Sequence, residues 1–230
     1  MINFTTFGED HLAVLVSLAL TSALIIMAGK RGTPETKDII AKGLAVTLIV
    51  QEMAMHVEAA ITGLWTIQTY LPVHMCSLSI YLTGYALWTR RDMIFQTCYY
   101  WSIGAVHALA TPNIESFFSP FRVVQFFTSH GLIFMGVLYL TFVYNMKATW
   151  HGLHLVLGIT IAVTAFAGFV NWLIDANYMF LCEKPVGENI LHMMPPWPWY
   201  IGILIIVVAA HFYLFYLPFR IAELRLKRNN

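Results

Sequence analysis

LPVHMCSLSIYLTGYALW, residues 71–88, reads as a membrane helix, yet it opens with Pro72, His74, Cys76, Ser77 and Ser79. An imidazole, a thiol and two hydroxyls near one end of an apolar run need a reason. Polar side chains inside a bilayer are costly and normally face a bundle interior or a wet cavity. Of the 230 residues, 59% are hydrophobic and 11% charged, with mean hydropathy +0.68. Soluble domains carry roughly 45–50% apolar and about 25% charged residues. A soluble fold of this length has no interior large enough for so much apolar surface. A polytopic membrane protein needs none.

Working outward from that stretch, apolar runs recur along the whole chain, and covering a hydrocarbon core of roughly 30 Å takes about 20 helical residues. Seven spans are predicted, at about 11–29, 40–64, 71–88, 93–110, 122–144, 152–174 and 198–218. The expected class is therefore all-α: residues 1–230 as a single seven-helix transmembrane domain. Glu9 and Asp10 before the first run, and no small-residue cleavage site after it, predict a retained span rather than a signal peptide. Eleven of the thirteen basic residues fall in the loops after the first, third and fifth spans, at the start of the second, or in the C-terminal tail; only Arg122 and Lys184 lie on the other side. That asymmetry predicts an outward N-terminus and a cytoplasmic C-terminus, which requires an odd number of spans. The tail RIAELRLKRNN reads as a short amphipathic helix on the anionic inner leaflet.

The net charge of +1 leaves no basic stripe for phosphates, so nucleic acid is excluded as a partner. Cys76, Cys98 and Cys182 are too few and too scattered for a disulfide framework or zinc module. The outer connections are the longer ones: TPNIESFFSPF after the fourth span, and the 175–197 loop, rich in Pro, Met and Trp and without periodicity, after the sixth. The PPWPWY end of that loop fits an interfacial aromatic belt. Tyr81, Tyr85 and Trp88 form a stripe at helical spacing, for which core packing is the expectation.

The polar groups within the spans share one depth band, the outer half. Glu52, His56 and Glu58 come from the second span, His74 and Cys76 from the third, His107 from the fourth, His130 from the fifth, and Asn171 and Asp175 from the sixth. Pro72 is read as a first-turn residue of the third helix, where its missing N–H costs nothing. Cys76 then follows just past the first turn, where a thiol gains partial help from the helix N-terminus. His74 lies two residues away, on the opposite side of a regular helix. A base from another helix fits better, and His130 in FFTSHGLIF has the right depth, with Gly131 permitting close approach and Ser129 beside it. An inert, packed Cys76 is the competing reading. Glu52 and His56 share a helix face at i, i+4 and read as a buried hydrogen-bonded pair or as part of the site. Asn171 and Asp175, one turn apart, either orient an imidazole or hold the outer loop, and Asn177 and Tyr178 lie within reach of the same pocket as candidate binding residues. His56, His74, His107 and His130 form an alternative metal-ligand set, though no local ligand motif such as HExxH occurs.

LPVHMCSLSIYLTGYALWTR, ALATPN, SHGLIFMGVLYLTFVYNMKATW, NWLIDANYMFLC and PPWPWY together resemble the YwaF-like family of bacterial integral membrane proteins, from about the second span to the last. More distantly, that family is similar to the vertebrate transmembrane acyltransferase that makes polyunsaturated ether phospholipids. That enzyme in turn is similar to the androgen-induced-protein group of membrane hydrolases. The resemblance implies a helical bundle in the bacterial inner (plasma) membrane that acts on lipid esters with a nucleophile and a histidine. Carried over, the Cys of HMCSLS is Cys76 and the His of SHG is His130; the hydrolases use a threonine nucleophile. The expected function is an intramembrane lipid acyltransferase or lipid-ester hydrolase. Cys76 and His130 are its catalytic pair, His74 and Asn171 its oxyanion donors, membrane lipids its partners, and it needs no cofactor. A metal-dependent enzyme and a non-enzymatic receptor or transporter stay open as alternatives.

Overall fold

The computed structural model describes residues 5–112, 119–185 and 190–229. The described residues form seven α-helices, two short 3-10 turns and no strand. They are α1 (Glu9–Arg31), α2 (Pro34–Ile61), α3 (Met75–Thr89), α4 (Asp92–Ala110), α5 (Pro120–Phe142), α6 (Trp150–Ile174) and α7 (Trp199–Asn229), with 3-10 turns at Tyr178–Phe180 and Ile190–Met193. Five of these, α1, α2, α5, α6 and α7, are long and apolar enough to cross a membrane. The chain is thus an integral membrane protein.

Local chemistry explains where the helices start and stop, and where the expected boundaries shift. Thr33 accepts the Thr36 amide at 3.3 Å and Pro34 occupies the first turn, so α2 begins at Pro34 rather than at 40. It ends at Ile61, before Gly63 at φ +71°, rather than at 64. Ser119 and Thr149 cap α5 and α6 in the same way, through the Arg122 and Gly152 amides. The third helix differs most from expectation. It begins at Met75, so Pro72 is not a first-turn residue but belongs to a run of turns at 66–74. At 15 residues, α3 covers only about 22 Å of a hydrocarbon core of roughly 30 Å. The tail is not a separate helix: α7 continues through Pro218 to Asn229.

The described chain packs as two compact units, residues 1–65 with 75–146, and residues 66–74 with 147–230. In the first unit α5 is central and touches each of α1 to α4. Leu48, Ile80, Leu87, Phe95, Ile133, Tyr139 and Leu140 form its core. Glycines allow the closest approaches: a Cβ on Gly136 would sit 2.7 Å from Thr83 of α3, and one on Gly131 would sit 2.7 Å from Leu18 of α1. Of the expected aromatic stripe, Tyr85 and Trp88 are exposed rather than packed in the core, and Lys42 lies over the Trp88 ring. In the second unit, the predicted loop 175–197 is ordered where it is described. Trp197 donates to the Leu181 carbonyl at 2.9 Å, Lys184 to the Met194 carbonyl at 2.7 Å, and Tyr200 to the Phe180 carbonyl. Residues 186–189 of that loop and 113–118 of TPNIESFFSPF lie outside the described residues.

Gly136→Ala forces a methyl against buried Thr83, with an overpacking cost of about 1–3 kcal/mol. The helix-propensity gain of up to about 1 kcal/mol does not offset this. Gly104→Ala meets nothing within 4 Å and gains the propensity alone. In detergent-solubilised protein the melting temperature falls for Gly136→Ala and is unchanged or raised for Gly104→Ala; two equal shifts would contradict the packing.

Candidate functional site

Three polar ties hold α2 antiparallel to α5. At one end Arg122 Nε donates to Glu58 Oε2 at 2.7 Å, with Ser119 on the other carboxylate oxygen at 3.3 Å. In the middle Gln125 Nε2 donates to Gln51 Oε1 at 2.9 Å. At the far end Tyr139 donates to the Lys37 carbonyl at 3.0 Å. Glu52, next to Gln51, is 1% exposed. Neither of its carboxyl oxygens makes a hydrogen bond among the described residues, and Oε1 is fully buried. The expected Glu52–His56 hydrogen bond does not form: Nε2 of His56 stands 3.9 Å from Oε1. His56 Nδ1 instead accepts the Trp65 indole N–H at 3.2 Å.

On α3, Gly84 faces Ala45 and Ile49 of α2, while Cys76 and Tyr81 lie within electrostatic reach of Glu52. These contacts make α3 antiparallel to α2, so α3 runs the same way as α5. Gly136 of α5 meets Thr83 and Leu87 of α3. Seven residues return a helix to nearly the same face. Seven residues earlier on the two helices stand Cys76 of α3 and Ser129 of α5, with His130 next to Ser129 along the chain. Cys76 is half-buried in the first turn of α3, not just past it as expected, and so sits closer to the positive end of the helix. Cys98, by contrast, is fully buried in α4.

His130 is 9% exposed and has a defined tautomer. Its Nδ1 lies 2.8 Å from the Phe126 carbonyl, an acceptor only, so Nδ1 carries the hydrogen. The Ser129 hydroxyl, which donates to the same carbonyl at 3.0 Å, is 3.2 Å from that nitrogen. Nε2 is left with its lone pair and makes no hydrogen bond among the described residues.

The remaining candidates divide differently from expectation. His74 and Asn171 both belong to the second unit, whereas Cys76, His130, Glu52, His56 and His107 belong to the first. Asn171 uses its amide on the backbone of Tyr178, accepting from its N–H at 2.7 Å and donating to its carbonyl at 3.0 Å. Of the two expected roles, this is the one that holds the loop. Tyr178 is fully buried; its hydroxyl accepts the Leu71 N–H at 2.9 Å and donates to the Ile67 carbonyl at 2.6 Å. His74 Nδ1 accepts the Met179 N–H at 3.2 Å, so its proton is on Nε2, and its ring meets Tyr178 edge-on. Asn177 ties its own loop through the Cys182 and Glu183 backbones. Asp175 ends α6 in the left-handed conformation. These residues secure the loop after α6 to the 66–74 segment.

His107 is exposed on α4. Among the described residues, no three of His, Cys, Asp or Glu converge as metal ligands. Sequence reasoning missed His11, which is fully buried, accepts the Phe7 N–H at 2.9 Å and donates from Nε2 to the Leu109 carbonyl at 2.8 Å. The Gln51–Gln125 tie was also missed, since neither residue belongs to a local motif.

Tyr178→Phe leaves the Leu71 N–H and Ile67 carbonyl without their bridge, a loss of about 1–3 kcal/mol for buried groups. Hydrogen exchange of the 66–74 amides accelerates in this variant and in Asn171→Ala, while the α2 and α5 amides keep their protection. Unchanged exchange at 66–74 would contradict the clamp.

The model of the TMEM164 family matches residues 6–216. The chain is also similar to an uncharacterised protein of Treponema pallidum (strain Nichols), 23% identical over 220 residues that cover 94% of this chain and 90% of the relative. No solved structure matches. With a match running from before α1 into α7, the chain belongs to the TMEM164 family.

Proposed function

We propose that this protein is an intramembrane enzyme that moves a fatty acyl group out of a lipid ester, with Cys76 as nucleophile and His130 as general base. The observation that carries the reading is the His130 tautomer. The Phe126 carbonyl holds Nδ1–H, and Nε2 keeps an unshared pair on the helix that packs against α3. A nucleophile needs such a base close by. The close approach of Gly136 to Thr83, each seven residues on from Ser129 and Cys76, supports a pairing at that level of the two helices. So does the position of Cys76 in the first turn of α3, where backbone N–H groups have no acceptor inside the helix. The resemblance of HMCSLS and SHG to motifs of lipid acyltransferases and hydrolases points the same way.

In this mechanism the Cys76 sulfur attacks the ester carbonyl carbon while His130 Nε2 takes the thiol proton. The carbonyl oxygen becomes an oxyanion, received by first-turn N–H groups of α3. The tetrahedral intermediate collapses, the C–O bond breaks, and His130 returns the proton to the departing lysolipid alcohol. An acyl-thioester remains on Cys76. The hydroxyl of an acceptor lysolipid, or water, then attacks it, with His130 again taking the proton, and the thiol is regenerated. Asn171, whose amide is held by Tyr178, serves by fixing the loop.

The topology proposed with this chemistry has seven helices across the bacterial plasma membrane, the N-terminus outside and the C-terminus in the cytoplasm. It rests on the basic residues. The short α3 then begins below the outer surface, so Cys76 meets lipid esters inside the bilayer. In a Cys76→Ser, Cys98→Ser background, exposed Cys182 is labelled by an impermeant maleimide added to intact cells. Labelling only after the cells are opened would overturn the orientation.

The activity test uses purified protein in nanodiscs with a diacyl phospholipid and a lysolipid acceptor. Cys76→Ala abolishes acyl transfer, and His130→Ala lowers it roughly 10²–10⁴-fold, the range for loss of a general base. Cys98→Ala keeps wild-type rates. Full activity in Cys76→Ala would sink the proposal.

A further inference from the structure

α1 packs along α5, and between these two helices and the last turns of α4 lies a cavity of about 430 Å³. That volume is within the roughly 300–1,000 Å³ usual for ligand pockets. Small side chains make the room: Ala19, Ser22 and Ala23 stand at i, i+3 and i+4 on one face of α1. Gly131 brings α5 up to the same wall, where a Cβ would meet Leu18 at 2.7 Å. Gly131 and Gly136 are five residues apart, so about 140° apart around α5. The cavity therefore lies on a different flank of α5 from the one that meets α3 at Thr83, and the acyl chemistry proposed above does not use it.

Its walls select an apolar occupant. Ser22 is the polar side chain among them, and its hydroxyl is already used on the Leu18 carbonyl at 2.7 Å. Ordered water needs roughly two to four polar partners, which this wall does not supply. The end nearest the N-terminus of α1 is closed. There His11 donates to the Leu109 carbonyl at 2.8 Å and its ring lies 5.8 Å from that of Phe127. Leu109 and Phe127 are buried with Leu15 and Leu18 packed on them. Along α1, by contrast, Ala19 and Ala23 are exposed, so the cavity opens sideways. Since α1 and α5 are both long and apolar enough to cross a membrane, that opening faces hydrocarbon. The α1 wall runs from Leu15 to Ile26, about 16 Å at ~1.5 Å per residue. This is close to one leaflet, half of a hydrocarbon core of roughly 30 Å.

We propose that this cavity is a binding site for one hydrocarbon chain of a bilayer phospholipid, with Ala19 and Ala23 setting the width of its entrance. The proposal goes beyond the acyl-transfer reading and does not depend on it. A chain that leaves the bilayer for the cavity gains no hydrophobic energy, because lipid tails are as apolar as the wall. It is retained by dispersion contacts with three helices at once, contacts that the wall forfeits when the space is empty. The exposed side of α1, at Leu20 and Leu24, offers only a convex surface of one helix and holds no chain in place.

The test is photolabelling in the Cys76→Ala background, so that no acyl transfer to the thiol contributes. The full chain is reconstituted in vesicles of phosphatidylcholine that include a phosphatidylcholine with a diazirine on one palmitoyl chain. After photolysis the adducts are mapped by peptide mass spectrometry. Adducts are expected on Phe134 and Leu138, the α5 wall of the cavity, as well as on the exposed Leu20 and Leu24. The double substitution Ala19→Phe with Ala23→Phe fills the entrance and lowers the α5 adducts roughly 5-fold or more, the low end of what overpacking a filled site costs. Labelling at Leu24 stays as it was. Leu20→Phe, on the exposed face, leaves the α5 adducts unchanged. Ala23→Leu alone gives a smaller loss and serves where the double variant does not fold. Undiminished α5 adducts in the filled variants would show general bilayer contact only and overturn the site. So would adducts confined to Leu20 and Leu24, which would leave the cavity to another occupant such as a helix of a second copy.

Discussion

The antiparallel pairing of α2 with α5 is the constraint on which the rest of the first unit depends. Three ties fix it, from Glu58–Arg122 through Gln51–Gln125 to the Lys37 carbonyl and Tyr139. Each joins polar groups that would otherwise face apolar surroundings, where unpaired hydrogen-bonding groups are expensive. With that pair set, α3 lies along both helices. Its glycine contacts with Ala45 and Ile49 on one side and with Gly136 on the other leave little freedom to slide. The positions of Cys76, His130 and Glu52 follow from this register rather than from any local motif.

A second economy operates within side chains. His130 spends one nitrogen on the carbonyl four residues back and keeps the other for chemistry. His74 makes the opposite choice, accepting a backbone N–H and keeping a donor. His11 uses both nitrogens on the backbone and is left with neither. Three buried or half-buried imidazoles of similar appearance in the sequence thus differ in what they can do. The difference is set by which neighbours reach them.

Apolar length made the helices legible, whereas their capped starts had to come from the structure. Thr33-Pro34, Ser119-Pro120 and Thr149 mark the starts the structure uses, a few residues before the apolar runs begin. The apolar run at 71–88 misled at its beginning, because Leu71 and Pro72 are apolar for a different reason. They belong to a segment held by Tyr178, more than a hundred residues away. The depth band of polar residues was visible from spacing, but not its division between two packed units, which depends on contacts across the chain. Asn171 illustrates the limit: an amide at a helix end suits either an oxyanion or a loop, and only the position of the Tyr178 backbone decides.

The central claim is that the thiol at the start of α3 becomes acylated with the help of His130. Its most direct test is intact-protein mass spectrometry of wild-type protein quenched in acid during incubation with a diacyl phospholipid, followed by peptide mapping. The account predicts one added acyl chain, on Cys76 rather than Cys98 or Cys182, released by hydroxylamine and missing from His130→Ala. Absence of any adduct under turnover, or an acyl chain on Cys98 or Cys182 that persists in His130→Ala, would contradict it.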